Sequence, residues 1–451
     1  MQEGGDVTDR LDGQTPAAVP GGARRAGQAE SPERSYADPT VWTERMLTAL
    51  EEGVRGGKWY SLMDKVHPER TLRRAFTRVE ANQGGSGVDH VTVAMFAASL
   101  DANLKCLSEE LRTGTYRPQA IRRHYIPKPG SRERRPLGIP TVRDRVVQTA
   151  LRLVLEPIFE HGFAAQSYGF RPGRGCKEAL RRVDELLKAG YSHVIDADLK
   201  SYFDTIPHDR LLAQVGQKVT DGNILKLLDQ YLQQGVLEGL AAWTPAAGTP
   251  QGAVISPLLS NIYLDPLDQE MARAGFEMVR YADDFVVMCR SQAEAARALG
   301  IVQAWTAAAG LVLHPTKTRQ IDARQESFDF LGYRFANGRH WPRAKSLKKL
   351  KDTIRTKTRR TAGDSLRAII ANLNPVLRGW FAYFQHSHRT VFPDLDAWIR
   401  GRLRSLLRKR QRSKGVARGA DHQRWTNAFF AEHGLFNLRT AHALACQSSR
   451  R

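Results

Sequence analysis

The most informative eight residues of this chain are Arg280-Tyr281-Ala282-Asp283-Asp284-Phe285-Val286-Val287. Alternating and β-branched residues on both sides of the acids predict two short strands joined by a tight turn. The Asp283–Asp284 pair would then lie at the tip of a hairpin. Two like charges this close are costly unless a cation neutralises them, and carboxylate oxygens suit Mg²⁺. A solvated Asp-Asp turn is the alternative, and these residues alone do not decide between the two.

The composition predicts a polyanionic partner. The chain has 451 residues and a formal charge of +21, and it has no apolar stretch of the ~18 residues that a membrane span needs. The charge is uneven, because residues 339–418 hold 22 Lys and Arg against 4 Asp. Such a local excess repels itself without an anionic ligand, and nucleic acid is the first candidate. No membrane partner is expected.

Two further features bear on metal content and compartment. The cysteines, Cys106, Cys176, Cys289 and Cys446, are scattered without a Cys-x-x-Cys pair, so neither a zinc site nor a disulfide framework is expected. Residues 1–40 are rich in Gly, Pro, Ala and charge, which predicts a disordered N-terminal tail. Because this tail lacks the apolar segment of a signal peptide, we expect a cytoplasmic protein, in a bacterial-type cytosol or nucleoid.

The periodicity of apolar residues predicts mixed helices and strands up to about residue 340. Examples are a basic strand from Ile121 to Lys128, a helix from Val146 to Phe159, a strand from Tyr191 to Ile195 and a helix from Ser256 to Ala274. Beyond Ser346 the pattern becomes helical and very basic, and Pro375, Gly379 and Pro393 predict breaks between three helices.

A second group of acids follows the strand that ends at Ile195, in the run Asp196-Ala197-Asp198-Leu199-Lys200-Ser201-Tyr202-Phe203-Asp204. Nucleotidyl transfer with two metal ions needs carboxylates from different segments that converge on cations roughly 4 Å apart. One cation lowers the pKa of the attacking hydroxyl, and the other stabilises the leaving pyrophosphate. Asp196 and Asp198 share one face of the strand and Asp204 also competes, so spacing alone does not select the partner of the Asp-Asp pair.

The order of these motifs resembles the reverse transcriptases encoded by group II introns, the reverse transcriptase/maturases. The similar segments, from about Trp42 to the C-terminus, are Gly87-Val88-Asp89, Tyr116-Arg117-Pro118, residues 135–145, residues 168–174, Asp198 to Asp204, Tyr281 to Asp284, and Asn374 to Trp380. The resemblance implies an α+β right-hand polymerase fold. Its parts would be an N-terminal extension with fingers (41–190), a palm with an antiparallel sheet (191–340), a helical thumb or maturase domain (341–418) and a small C-terminal appendage (419–451).

The resemblance also assigns catalytic residues. It implies that Asp198, rather than Asp196 or Asp204, joins Asp283 and Asp284 as a ligand of two Mg²⁺ ions, for which Mn²⁺ would substitute.

For the incoming deoxynucleotide the resemblance implies contacts from Arg135, Arg145, Phe203, Gln251 and Lys317. The ring of Phe203 would clash with a 2′-hydroxyl and so select deoxynucleotides, with plain core packing as the alternative. Lys317 would lie near the polyphosphate as a general acid.

Two further sites follow from the resemblance. Phe330, Leu331 and Gly332 resemble the turn that positions the primer end, and an ordinary apolar turn is the alternative. The basic helical region resembles the RNA-binding face of the thumb, which implies salt-dependent contacts with phosphates. The residues assigned to it are Lys348, Lys349, Lys351, Arg359, Arg360 and Arg378.

The C-terminal region differs from that of longer family members. Only about 33 residues follow the basic region, with one cysteine, so no zinc-dependent HNH endonuclease domain is expected. Any mobility would then need a pre-existing primer or a single-stranded target. Residues 419–451 are either a reduced DNA-binding segment or an appendage of the thumb, and the sequence leaves this open.

The leading hypothesis is an RNA-directed DNA polymerase. It would use dNTPs, an RNA template with a DNA primer and a target DNA, and it would bind its group II intron RNA to assist splicing and mobility. A maturase that acts only as a splicing factor is the second hypothesis, and a domesticated relative in repair or defence is the third. A protein that only binds RNA does not need three closely spaced carboxylates that repel one another, so these residues argue against a loss of polymerase activity. Phe203, as a barrier to the 2′-hydroxyl, argues against an RNA-dependent RNA polymerase.

Overall fold

The computed structural model describes residues 36–127, 134–238, 241–359, 361, 363–411 and 419–448. No helix in these ranges is long and apolar enough to cross a membrane. The described chain begins with turns at residues 36–40, which the sequence assigned to a disordered tail. That assignment is wrong for this segment, because Asp38 is buried and its carboxylate accepts hydrogen bonds from Arg74 (2.8 Å) and Arg78 (2.9 Å).

The N-terminal region is helical apart from one hairpin. Its elements are α1 (Glu44–Glu52), α2 (Met63–Val66), α3 (Glu69–Asn82), α4 (Val93–Ala98), α5 (Leu100–Thr113), β1 (Ile121–Pro127), β2 (Arg134–Ile139) and α6 (Val142–Glu160). Helix α6 is buried along most of its length, and α3 packs along it. The Asp144 carboxylate of α6 accepts hydrogen bonds from the Tyr116 hydroxyl (2.5 Å) and the Gln119 N–H (3.1 Å), which fixes the chain just before β1.

The middle of the chain alternates helices and strands. Its elements are α7 (Cys176–Lys188), β3 (His193–Asp198), α8 (Tyr202–Thr205), α9 (His208–Val215), α10 (Gly222–Leu232), β4 (Val236–Glu238), β5 (Ala241–Trp243), α11 (Ser256–Arg273), β6 (Glu277–Tyr281), β7 (Asp284–Cys289), α12 (Gln292–Ala308) and β8 (Arg319–Asp322). Strands β1 and β2 join β4 and β5 in a fingers sheet of order β2-β1-β4-β5.

The C-terminal region begins with three short strands and is helical afterwards. Its elements are β9 (Phe328–Phe330), β10 (Tyr333–Ala336), β11 (Arg339–Pro342), α13 (Ala344–Lys357), α14 (Leu366–Phe384), α15 (Val391–Arg410), α16 (Gly419–Arg424), α17 (Asn427–Glu432) and α18 (Leu438–Ser448). The predicted break at Pro375 and Gly379 is wrong, since α14 continues through both residues. A proline removes only one hydrogen bond from a helix, and the buried Leu373 and Leu377 hold both sides of this one in the core.

The palm sheet has the order β6-β7-β3-β8, with all neighbouring strands antiparallel. Successive side chains of a strand point to opposite faces. Ile195 and Phe285 face one core together with α11 and α12, whereas Val194 and Val286 face a second core with α7 and the β9–β11 strands. Because both faces are covered, β7 is an uninterrupted apolar run after its first residue. The predicted α+β right-hand fold, with fingers, palm and helical thumb, is confirmed.

The C-terminal segment belongs to the thumb core. Trp425, Phe430 and Leu438 pack in the same cluster as the buried residues of α13 to α15. The Asp396 carboxylate of α15 accepts hydrogen bonds from the N–H groups of Leu438 (3.1 Å) and Arg439 (3.0 Å), which anchors the start of α18. Of the two alternatives for this segment, the packing therefore favours an appendage of the thumb.

Candidate active site

The turn between β6 and β7 carries two acidic side chains at the end of the palm sheet. Ala282 and Asp283 form this turn, with Ala282 at a φ of +60°. Asp284 is the first residue of β7 and lies opposite Asp198, the last residue of β3, in the antiparallel register. Carboxylates from two segments therefore lie at the same end of the sheet, and the predicted hairpin with acids at its tip is confirmed.

Burial and mutual repulsion act on these carboxylates. Burial raises the pKa of Asp283 above its ordinary value, and the negative charge of Asp198 raises it further. The pKa of Asp284 rises to about 7, first because the carboxyl is buried and then because of the charges of Asp196, Asp283 and Asp198. The ionised cluster is unfavourable on its own, so a bound cation would stabilise it.

The donor set fits a divalent cation that the substrate helps to bind. Within the described ranges, no three His, Cys, Asp or Glu side chains already converge closely enough to hold an ion. Mg²⁺ is commonly bound through one or two carboxylates, with substrate phosphates and water completing its shell. Asp198, Asp283 and Asp284 supply hard oxygen donors of this kind.

Arg280 supports the acidic turn from the protein interior. Its Nε and Nη2 donate to the Asp268 carboxylate at 2.8 and 2.5 Å, and neither side chain is exposed. Its Nη1 donates to Asn261 Oδ1 (3.0 Å) and to the carbonyl oxygen of Ala282 (2.9 Å). The position of Asp283 therefore depends on this buried ion pair. Sequence reasoning missed this role, although an arginine within an apolar strand was a usable signal.

A loop from the fingers closes over the same turn. The Tyr168 N–H donates to the Arg280 carbonyl (2.8 Å), and the Arg280 N–H donates to the Gln166 carbonyl (3.0 Å). A Cβ at Gly169 would overlap the backbone nitrogen of Ala282, so only glycine allows this close approach. The segment 168–174, which the sequence singled out, thus supports the acidic turn directly.

The structure separates the aspartates that the strand pattern left open. Asp198 ends β3 beside the acidic turn. Asp196 lies two residues earlier and pairs with Arg319 of β8 at 3.3 Å. Asp204 lies on α8, where burial raises its pKa and the charge of Arg123 in the fingers opposes that shift. The register, which sets Asp198 directly opposite Asp284, therefore favours Asp198 as the third acid of the cluster.

Lys317 lies directly beside the acidic cluster. Its Nζ donates to Asp198 Oδ2 at 2.7 Å, so the ammonium group neutralises part of the acidic cluster. The loop that carries it is fixed by the His314 N–H, which donates to the carbonyl of Asp198 at 2.7 Å. Contact with a polyphosphate remains a prediction for this lysine.

Three of the residues assigned to the deoxynucleotide lie on segments that backbone hydrogen bonds join. The charge of Arg135 lowers the pKa of Asp283 and partly offsets the effect of burial. The carbonyl of Gln251 accepts a hydrogen bond from β2 at 2.6 Å, and the Thr249 N–H donates to the carbonyl of Phe203 at 2.6 Å. One loop thus joins the finger strand of Arg135 to the backbone of Phe203, whose ring is half-buried. Their contacts with a nucleotide remain predictions.

Arg145, by contrast, is engaged elsewhere. Its guanidinium donates to the carbonyls of Gln83 (3.1 Å) and Gly85 (2.7 Å), and burial lowers its pKa while the charge of Asp89 opposes that shift. These contacts favour a role in holding the glycine-rich N-terminal loop, and the structure does not bring Arg145 to the aspartates.

Arg343 is a cation near the cluster that sequence reasoning missed. Its charge lowers the pKa of Asp284, against the larger effect of burial. Together with Arg135, Lys345 and Lys349 it lines a cavity of about 380 Å³ between the fingers hairpin and α13. Four cations around a cavity beside the acids provide charge for a polyanionic ligand.

The turn assigned to the primer end is held by the thumb. Phe330 ends β9, and Leu331 and Gly332 form the turn to β10 at φ values of +46° and +84°. The Tyr383 hydroxyl of α14 donates to the Leu331 carbonyl at 2.7 Å, and the Arg343 N–H donates to the Gly332 carbonyl at 2.9 Å. Contact with a primer remains a prediction.

The residues assigned to RNA binding fall into two groups. Lys348, Lys349 and Arg359 are exposed. Lys351 and Arg378 lie over aromatic rings, of Trp398 at 5.6 Å and of Phe436 at 5.4 Å respectively. Arg360 lies outside the described residues.

Acidic side chains at the end of a palm sheet, between a fingers sheet and a helical thumb, are the arrangement expected of a polymerase that transfers nucleotides with the help of metal ions. Residues 126–335 match the family described as reverse transcriptase (RNA-dependent DNA polymerase), and residues 347–425 match the group II intron, maturase-specific domain. The chain therefore combines a reverse transcriptase region with a group II intron maturase-specific region.

Individual proteins show the same relationship. Protein YkfC of Escherichia coli (strain K12) is 43% identical over 187 residues, which cover 41% of this chain and 49% of that protein. The group II intron-encoded protein LtrA of Lactococcus lactis subsp. cremoris is 38% identical over 197 residues, 43% of this chain and 32% of that protein. The chain thus spans half or less of the length of these relatives. A solved telomerase structure from Candida albicans aligns over 66% of this chain and 61% of that chain, with 12% sequence identity and a TM-score of 0.41.

Proposed function

We propose that this protein is an RNA-directed DNA polymerase, which adds deoxynucleotides to a primer 3′-hydroxyl on an RNA template. The observation that carries the proposal is the register of β3 and β7, which sets Asp198 opposite Asp284 and beside Asp283. The reverse transcriptase match over residues 126–335 supports it. When bound at these carboxylates, two Mg²⁺ ions would activate the primer hydroxyl and stabilise the leaving pyrophosphate.

The chain's own residues would bind and orient the reactants. Arg280 holds the acidic turn through its contact with the Ala282 carbonyl. Arg135 and Arg343 bring positive charge from the fingers and from the segment before α13, where a triphosphate would be bound. Phe203 would exclude a 2′-hydroxyl, and the turn at Leu331 would position the primer end.

Primer extension on an RNA template with Mg²⁺ and dNTPs tests this function. The wild type should extend a DNA primer, and Asp283→Ala should lose extension while it keeps RNA binding nearly intact, because the substitution removes a metal ligand and no phosphate contact. Equal extension by both proteins would show that synthesis does not use this site. No extension by a folded wild type that still binds RNA would overturn the polymerase proposal.

A second function, assistance of group II intron splicing, is proposed from the maturase match over residues 347–425 and from the basic thumb. In this proposal the partners are the intron RNA and a target DNA, and the protein acts in the cytoplasm. A splicing assay with a group II intron RNA that flanks the reading frame tests it. Asp283→Ala should still accelerate splicing, and an unchanged splicing rate on addition of either protein would contradict the proposal.

A further inference from the structure

A second cavity lies at the junction of α7, the β9–β11 strands and α14. Its volume is about 300 Å³, which is within the range of small-molecule sites, and none of the three catalytic aspartates lines it. Leu180, Tyr333 and Tyr383 form its apolar wall. The Tyr383 hydroxyl also donates to the Leu331 carbonyl at 2.7 Å, so one wall of the cavity is joined to the turn assigned to the primer.

The rim of this cavity is cationic. Lys177 and Arg181 are one helical turn apart on α7, both are exposed, and neither has an ion-pair partner among the described residues. Lys188 differs, because its Nζ pairs with the Asp184 carboxylate at 2.5 Å. Two adjacent cations therefore remain available for an anion at the mouth of an aromatic cavity.

Two histidines complete the wall. Burial lowers the pKa of both His340 and His386 below the ordinary value, so at neutral pH they present neutral rings. The Nδ1 of His340 is buried without a hydrogen-bond partner in the described part of the chain, and its nearest carboxylate oxygen, on Asp184, is 3.8 Å away. A hydrogen-bonding group on a bound ligand would provide a partner for this nitrogen.

We propose that this cavity binds one nucleotide unit, with its phosphate on Lys177 and Arg181 and its base against Tyr383 and His340. Cationic side chains suit the phosphate, while aromatic rings and an unpaired ring nitrogen suit a heterocyclic base. The unit is either a free nucleotide or an unstacked nucleotide of a bound single-stranded RNA, which share this chemistry. The proposal does not rest on polymerase activity.

Photo-crosslinking to the full chain tests the site, without primer, template or divalent cation. The probes are 8-azidoadenosine 5′-monophosphate and a short single-stranded RNA with one 4-thiouridine, and mass spectrometry locates the adducts. We expect adducts on α7 or at residues 383–386. They should be about tenfold weaker in Lys177→Ala/Arg181→Ala, which loses two charge-assisted contacts. The control Arg70→Ala/Lys105→Ala removes two exposed cations from α3 and α5 and should label like the wild type.

A second variant separates the cavity from its surface charge. Leu180→Phe fills the cavity without a change of charge and should also abolish labelling, while the melting temperature shows that the protein is folded. Labelling by the mononucleotide would support the site with a free nucleotide as ligand, and labelling by the RNA alone would support it with RNA as the source. Adducts elsewhere, full labelling of Leu180→Phe, or equal competition by inorganic phosphate and adenosine monophosphate would overturn the proposal.

Discussion

Asp284 destabilises the fold before any ligand binds. Its pKa is raised to about 7 by burial and by the neighbouring acids, whereas in the unfolded chain the carboxyl titrates at its ordinary, lower value. A carboxyl of this kind binds its proton more tightly in the folded state. The free energy of unfolding therefore falls as the pH rises from the unfolded value through about 7.

Asp284→Asn should consequently raise the melting temperature in EDTA. We expect a gain of about 1–3 °C at pH 8, where the wild-type carboxyl is ionised, and much less at pH 5, where it is protonated. Differential scanning fluorimetry at both pH values measures this, and DNA synthesis should be lost. As a control, Asp352→Asn alters an exposed carboxylate in an i,i+3 pair with Arg355 and should change little. A lower melting temperature, or a gain independent of pH, would contradict the argument.

Individual residues also show which features of the site could be predicted from the sequence alone. The hairpin acids were predictable because alternation and adjacency are local properties. Asp196 and Asp198 were not separable by pattern, because the register that sets Asp198 opposite Asp284 depends on the pairing of two strands that are distant in the sequence. The contacts of Arg145 were not predictable for the same reason, since they are with the backbone of a preceding loop.

At the level of elements, the β6–β7 hairpin depends on α11. The Asp268 carboxylate of α11 holds Arg280, which in turn binds the carbonyl of the acidic turn. Breaking a buried ion pair by neutralising one partner costs about 3–5 kcal/mol, because a charge remains buried without compensation. The same break should also loosen the placement of Asp283.

Asp268→Asn should therefore lower stability by about 3 kcal/mol and raise the Mg²⁺ concentration needed for half-maximal DNA synthesis. Chemical denaturation and a Mg²⁺ titration measure the two effects. Asp421→Asn is the matched control, because it breaks a partly buried pair with Arg408 (2.6 Å) in the thumb, far along the chain from the turn. It should lower stability without a change in Mg²⁺ requirement. If both variants alter that requirement equally, Asp268 has no specific effect on the turn.

Elements were predictable where their periodicity is strong. The helix from Ser256 and the strand before Asp198 appear close to their predicted positions. The break at Pro375 was wrong because tertiary packing of the flanking leucines outweighs one lost hydrogen bond. The contact of Gly169 with the acidic turn could not be predicted, since it depends on how two separate segments approach each other.

Across the whole molecule, some cationic side chains are exposed to solvent and others lie over aromatic rings. Lys348, Lys349 and Arg359 extend into solvent, whereas Lys351 lies over the Trp398 ring. Arg355 and Arg402 also lie over this ring, at 5.6 and 5.8 Å. Charge composition alone could not reveal this difference, because it reports the number of cations and not their contacts.

Lys348→Ala/Lys349→Ala/Arg359→Ala should weaken binding of the intron RNA and reduce the slope of log affinity against log salt by about 2. Filter binding across a salt series measures this. Lys105→Ala/Lys226→Ala/Arg273→Ala removes the same charge from other exposed positions and should leave the slope nearly unchanged. An identical slope in the wild type and the thumb variant would show that these three cations do not contact phosphates.

The acidic turn has a practical consequence for laboratory evolution. Asp284 is half-buried among like charges, and Ala282 holds a positive φ that glycine adopts more easily. A library screened only for heat resistance would therefore enrich replacements at these two positions early. Survivors that had lost the Asp284 carboxylate would fold well but lack one of the proposed metal ligands, so any thermostabilisation campaign on this protein needs a parallel selection for primer extension.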